Sequence, residues 1–176
     1  MLPVLSSANH ESKRIRRNLS SKKGKGKKIA LKSEGSFSQQ IESPFQNSTA
    51  KSIFDTASAT LDINFEDDFS SAQYSIQGQN LVGGVFAAHL HCGKAGVNGP
   101  IVVTLNAIPN VTEGLIGQGT IENDLVNPSL FTCGDVVIRT VAALYEVILE
   151  RLIYFNVHTN IVPSGLVRGQ IFPSLN

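Results

Sequence analysis

From Ile53 onward the chain alternates apolar and polar positions at period two, with β-branched and aromatic residues set between clusters of Gly, Asn and Pro. Such alternation marks half-buried strands, because successive side chains in a strand point to opposite faces of the sheet. It predicts strands over Ile53–Ile63, Ala72–Gln77, Val85–His91, Ile101–Leu105, Leu115–Ile121, Ile153–Thr159 and Val167–Phe172. One stretch departs from it. Val137, Val141, Leu144, Ile148 and Leu152 recur at helical spacing with Tyr145 beside them, which predicts a helix from about Gly134 to Arg151, capped by Thr132 with Asp135 following. Short strands separated by turn residues, with one inserted helix, specify an all-β sandwich or barrel.

The first 52 residues carry no such period and are rich in Ser, Lys and Gly. A segment with so little apolar surface cannot offset the entropy of ordering, so residues 1–52 are expected to be a disordered arm and residues 53–173 the folded domain. Charge divides at the same place. Through residue 52 there are eleven Lys and Arg against three Glu, and beyond it four basic residues against eleven acidic ones. A basic arm on an acidic domain suits an extracellular protein, glycan or anionic surface as partner, gripped by the run Lys22–Lys28 through charge rather than shape. A plain solvated linker is the alternative for that run. It lacks the aromatic residues that single-stranded nucleic-acid binding uses, so nucleic acid is not expected as a partner.

No stretch approaches the ~20 apolar residues of a membrane span, and no signal peptide is visible, since Met1–Leu5 is too short for its apolar region. Asn18, Asn47 and Asn110 nevertheless head N-x-Ser/Thr sequons, and Arg14–Arg17 resembles a furin-type processing site, features that fit secretion. A disulfide between Cys92 and Cys133 would close a loop of about forty residues in an oxidising compartment; two free thiols, or a soft metal ligand beside His91, are the alternatives.

Three histidines fall in predicted strands. Along Val85–His91, Phe86, Ala88 and Leu90 share one face, expected to be the core side, and Val85, Ala87, His89 and His91 the other. In Tyr154–Thr159 the same count sets Phe155 and Val157 against Tyr154, Asn156 and His158, and in Val167–Phe172 it sets Arg168 and Gln170 together. If these strands are neighbours, one patch holds His89, His91, His158 and Arg168 with Asn156 and Gln170 at its margins. A His-x-His pair plus a third His suits Cu²⁺ or Zn²⁺ and leaves a position open, with Arg168, Asn156 and Gln170 as candidate anion- or substrate-binding groups. Polar alternation on a sheet face produces the same string with structural histidines. Glu66–Asp68 reads as a solvated turn, with a weak Ca²⁺ site as its alternative, and no G-x-S-x-G, P-loop or dinucleotide fingerprint occurs, so no catalytic residue is nominated.

Three blocks resemble the CHRD (chordin-repeat) family: Ala87–Gly93 continuing through Gly96–Val102, Asn156–Thr159, and Val167–Ile171, with an opening strand at Ala57–Leu61. The family usually has Gly-Gly-Glu before its last block, and here Ser164-Gly165-Leu166 replaces it, removing an acid that could pair with Arg168. The resemblance implies an immunoglobulin-like β-sandwich, usually extracellular, acting as a binding or structural module rather than an enzyme. A fainter likeness is to Cu/Zn superoxide dismutase, in which His-x-His and a later strand His hold copper and an Arg attracts the anion. By that analogy His89, His91 and His158 would be the ligands and Arg168 the anion site, with a mononuclear redox protein as the alternative function.

Overall fold

The computed structural model describes residues 29–40, 51–124, 126 and 132–173. Among the described residues ten strands and two α-helices follow one another, with a 3-10 turn at Phe37–Gln39: β1 (Ile29–Ser36), α1 (Lys51–Phe54), β2 (Ser58–Phe65), β3 (Ser71–Gln79), β4 (Val85–Cys92), β5 (Ile101–Leu105), β6 (Gly114–Glu122), β7 (Thr132–Cys133), β8 (Val136–Val137), α2 (Val141–Leu149), β9 (Ile153–Thr159) and β10 (Val167–Gln170). Eight strands make one antiparallel sheet in the order β5-β4-β9-β10-β1-β2-β3-β6, and β7 and β8 pair separately. The sheet curls so far that Ala107, just beyond one edge strand, bridges to Gly117 of the other. Apolar residues from both halves, among them Leu61, Ile63, Ile76 and Ile116 with Ala88, Leu90, Phe155 and Val157, meet in a single core. The expected all-β sandwich with one substantial helix is the fold observed.

Four local expectations are corrected. Ile29–Gln40 lies within the span expected to be a disordered arm, yet β1 pairs with β2 along its whole length and inserts between β2 and β10. Its inward positions are Leu31, Ser33 and Gly35, of which two are not apolar, so alternation gave no signal. Close backbone approach takes the place of side-chain burial: a Cβ on Gly169 would stand 2.2 Å from the Phe155 ring and 2.9 Å from the Cα of Gly35. Ser33 adds a hydrogen bond from its hydroxyl to the Gln170 carbonyl. The basic run Lys22–Lys28 lies outside the described residues.

The expected first strand at Ile53 begins instead at Ser58. Before it, α1 turns Phe54 inward against Phe37, with ring centroids 5.5 Å apart, and leaves Ile53 exposed. On β4 a bulge between Val85 and Ala87 puts Val85 in the core and turns Phe86 outward, the reverse of their expected faces. The bulge adds one residue to the strand and shifts the alternation only upstream of itself, so Ala88 and Leu90 still face the core.

The helix is shorter than its apolar stripe. Thr132 and Cys133 belong to a small hairpin turning through Gly134 at φ +63°, so neither Thr132 nor Asp135 caps a helix and Val137 is exposed. Thr140 is the N-cap, its hydroxyl accepting from the Ala143 N–H at 3.1 Å. At the other end Arg151 takes φ 60°, and Leu152 N–H to Val147 carbonyl with Arg151 N–H to Ile148 carbonyl closes the helix before the expected end. Thr140→Ala should cost about 1 kcal/mol, the usual worth of such a cap, measurable by urea unfolding; Thr132→Ala should cost less, contrary to the expectation from sequence.

Candidate metal centre

Strands β4, β9 and β10 are consecutive in the sheet, as a shared patch requires. Their register sets His89 opposite Asn156, His91 opposite Tyr154 and Ala87 opposite His158, while Arg168 and Gln170 stand opposite Asn156 and Tyr154 on the other side of β9. Because side chains alternate, these residues rise from one face, away from Leu90, Phe155 and Val157. Here that face is not solvated. All seven residues of β9 are buried, and of the three histidines only His89 is partly exposed.

One ring nitrogen from each of His89, His91 and His158 lies within 4.8 Å of those of the other two, the one such group of three or more ligand-type side chains among the described residues. Glu66–Asp68 forms no such group; Asp68 instead accepts from the Ser70 N–H at 2.9 Å.

Backbone carbonyls set two of the rings. Nδ1 of His91 lies 3.0 Å from the Gly99 carbonyl, and Nδ1 of His158 lies 2.9 Å from the Pro163 carbonyl. A carbonyl can only accept, so both rings carry their proton on Nδ1 and present the Nε2 lone pair. Nε2 of His158 meets Nδ1 of His89 at 3.0 Å. Nε2 of His91 is buried and has no hydrogen-bond partner among the described residues. The ring of Tyr154 stacks on His91, with centroids 4.9 Å apart and planes 8° from parallel.

Burial keeps all three imidazoles neutral near pH 7. It is the main cause lowering His89 to about 4, with the neighbouring His158 and His91 charges adding to it. Burial also lowers His91 and His158, against the opposing pull of the Gly99 and Pro163 carbonyls. The unfolded chain therefore binds more protons than the folded one between an ordinary histidine value of about 6.5 and the lowered values. Stability from these groups is fully present above about pH 6.5 and is lost as pH falls toward 4. Urea midpoints of metal-free protein should fall across that window, and replacing the three histidines by Gln should flatten the profile.

The remaining candidate residues sit in the patch, with polar atoms directed to protein partners. Arg168 is 2% exposed; its guanidinium donates to the carbonyls of Lys94 and Val97 and to Asn98 Oδ1. Gln170 Nε2 reaches the carbonyls of Gly93, Arg151 and Ile153, and Asn156 Oδ1 accepts from Gln40. Sequence reasoning missed Gly99 and Pro163, whose contribution is a main-chain oxygen that no residue pattern reveals. It also missed the part played by Tyr154, although alternation places that residue on the histidine face. Cys92, next to His91, forms a disulfide with Cys133, as one of the sequence alternatives held. Asn110 is exposed in a turn at φ 64°, while Asn18 and Asn47 lie outside the described residues. No helix among the described residues is long and apolar enough to cross a membrane.

Comparison with curated proteins gave no match, and neither did comparison with solved structures. A family model does match, over residues 34–171, taking in β1 from Glu34 together with every strand that builds the histidine patch. The chain belongs to the CHRD domain family.

Proposed function

We propose that this CHRD domain is an extracellular binding module that carries one copper or zinc ion on His89, His91 and His158. The observation that carries the reading is the buried Nε2 of His91, which has no hydrogen-bond partner among the described residues. A buried acceptor left unsatisfied is costly, and a metal ion would satisfy it. The two carbonyl-anchored rings support the same reading, since metal-bound histidines characteristically donate their second nitrogen to a backbone or carboxylate oxygen. Ligand atoms that already lie within 4.8 Å of one another would close to separations of about 3.3–3.5 Å around an ion held by metal–nitrogen bonds of about 2.0–2.1 Å, a movement of roughly 1 Å that rotation of the rings would make. Neutral imidazoles suit Cu²⁺ and Zn²⁺, and either ion would supply Lewis acidity there, with one-electron exchange added for copper.

We read the module as binding rather than catalytic. A dismutase-like role needs Arg168 as an anion receptor, and its guanidinium is buried against loop carbonyls. The disulfide and the family both fit an extracellular setting. In this reading Lys22–Lys28 holds the protein to an anionic glycan or surface, and Asn18, Asn47 and Asn110 are the glycan acceptors.

Elemental analysis tests the proposal. Protein equilibrated with micromolar Cu²⁺ or Zn²⁺ and then dialysed should retain one ion per chain, and His91→Ala or His158→Ala should reduce this to background with circular dichroism unchanged. Wild-type protein that retains neither ion would end the reading.

A further inference from the structure

We infer that Arg168 is a positioning residue for the three-histidine centre, acting at one remove through the 93–100 loop and the Gly99 carbonyl. The inference deepens the metal-site reading, but its structural half concerns the metal-free protein.

Each link is a contact. The Arg168 guanidinium carbon lies 3.4 Å from the centroid of the Tyr154 ring, the same ring whose stacking supports His91. From there the guanidinium spans the loop, donating to the Lys94 carbonyl at 3.0 Å, the Val97 carbonyl at 2.9 Å and Asn98 Oδ1 at 3.2 Å. The next residue, Gly99, donates its N–H to the Tyr154 hydroxyl at 3.1 Å, and its carbonyl receives Nδ1–H of His91. A planar cation with several fixed donors can gather three acceptors that converge on one side of a loop; a lysine ammonium does not match that fork.

The loop has little freedom to do otherwise. A Cβ on Gly99 would stand 1.5 Å from the Cys92 carbonyl oxygen, and one on Gly93 would stand 2.6 Å from the Val97 oxygen. Gly99 therefore lies directly against Cys92, the last residue of β4 and the neighbour in sequence of the His91 ring that it orients. Were the loop released, the Gly99 carbonyl would leave His91 Nδ1, and the ring would lose the contact that keeps its proton off Nε2. The centre then contains one ligand in the wrong tautomer, although no ligand has been changed. His158 is held separately, by Pro163 in the turn before β10, and does not depend on this loop.

That independence supplies the control. Nitrogen-15 imidazole spectra of the full chain without metal should show His91 and His158 both protonated at Nδ1 in the wild type. In Arg168→Met, and in the milder Tyr154→Phe, His91 should become a mixture of tautomers while His158 stays as it was. Zn²⁺ affinity, read by competition with a chromophoric chelator, should weaken by about 10–100-fold, the usual cost of losing an outer-shell partner. Should Arg168→Met unfold, His158 would lose its fixed tautomer as well, and Tyr154→Phe decides. Retention of the His91 Nδ1 proton and of wild-type affinity in the folded variants would overturn the inference. Wild-type protein that binds no Zn²⁺ would overturn the metal site instead, and the His91 spectrum would still judge the relay.

Discussion

Protein lacking the Cys92–Cys133 bridge, made as the double Ser variant, should unfold with about 4 kcal/mol less free energy than the wild type. The figure follows from a sequence separation of 41, because a cross-link across that span removes loop-closure entropy from the denatured chain. For a domain of this size the loss lowers Tm by on the order of 10–20 °C. Folded-state geometry concentrates the effect. Cys92 ends β4 next to His91, and Cys133 is fully buried in the β7–β8 hairpin that leads into α2. Without the bridge that two-strand hairpin keeps only its own short ladder and the packing of Cys133 and Val136 on the core, and hairpins with so short a ladder are marginal in water. Urea unfolding of oxidised wild type and variant measures the difference, with a larger m-value expected for the less constrained denatured state. A loss below about 1 kcal/mol would mean that native contacts, not the covalent link, hold the hairpin.

The second large effect is linkage to metal. An ion that binds the folded domain and not the denatured chain stabilises by about 2.7 kcal/mol when supplied at a hundred times its Kd. Thermal unfolding should therefore shift upward with Cu²⁺ or Zn²⁺ in proportion to the logarithm of free metal. His158→Ala should abolish the shift, since it removes the ring that meets His89 and leaves two ligands at most. The same variant should lose less stability than the wild type between pH 7 and pH 5, because one imidazole that burial keeps neutral is gone. A metal-dependent shift that survives in His158→Ala would assign the ion to another place.

Much of the patch was legible because strand alternation is a strict constraint. Once Leu90, Phe155 and Val157 must face a core, His89, His91, Asn156 and His158 have no choice but the other side. Adjacency of β4, β9 and β10 was a condition attached to that reasoning, and nothing local to any of the strands enforces it. Phe86 shows the limit of the rule, since a bulge of one residue exchanged its face with that of Val85. The strand β1 was illegible for a different reason. Its hold on the sheet comes from backbone pairing and from two glycines that let β10 approach, neither of which writes a hydrophobic pattern.

Sequence alone determined the β class, the two histidine strands and the face their rings share, because burial of apolar side chains at period two leaves those features little latitude. It also carried the apolar stripe of α2, whose ends depended on hydrogen bonds made by Thr140 and Arg151 rather than on the stripe. Tertiary structure decided which strands stand side by side, and so brought one ring nitrogen of each of the three imidazoles within 4.8 Å of the others. It likewise decided the tautomers of His91 and His158 through the carbonyls of Gly99 and Pro163, atoms that every residue possesses and only the folded loops aim. Arg168 is the clearest case of the division. Its position beside the histidines follows from alternation and pairing, but its partners are three groups of a loop some seventy residues away in sequence, and only the fold brings them to it.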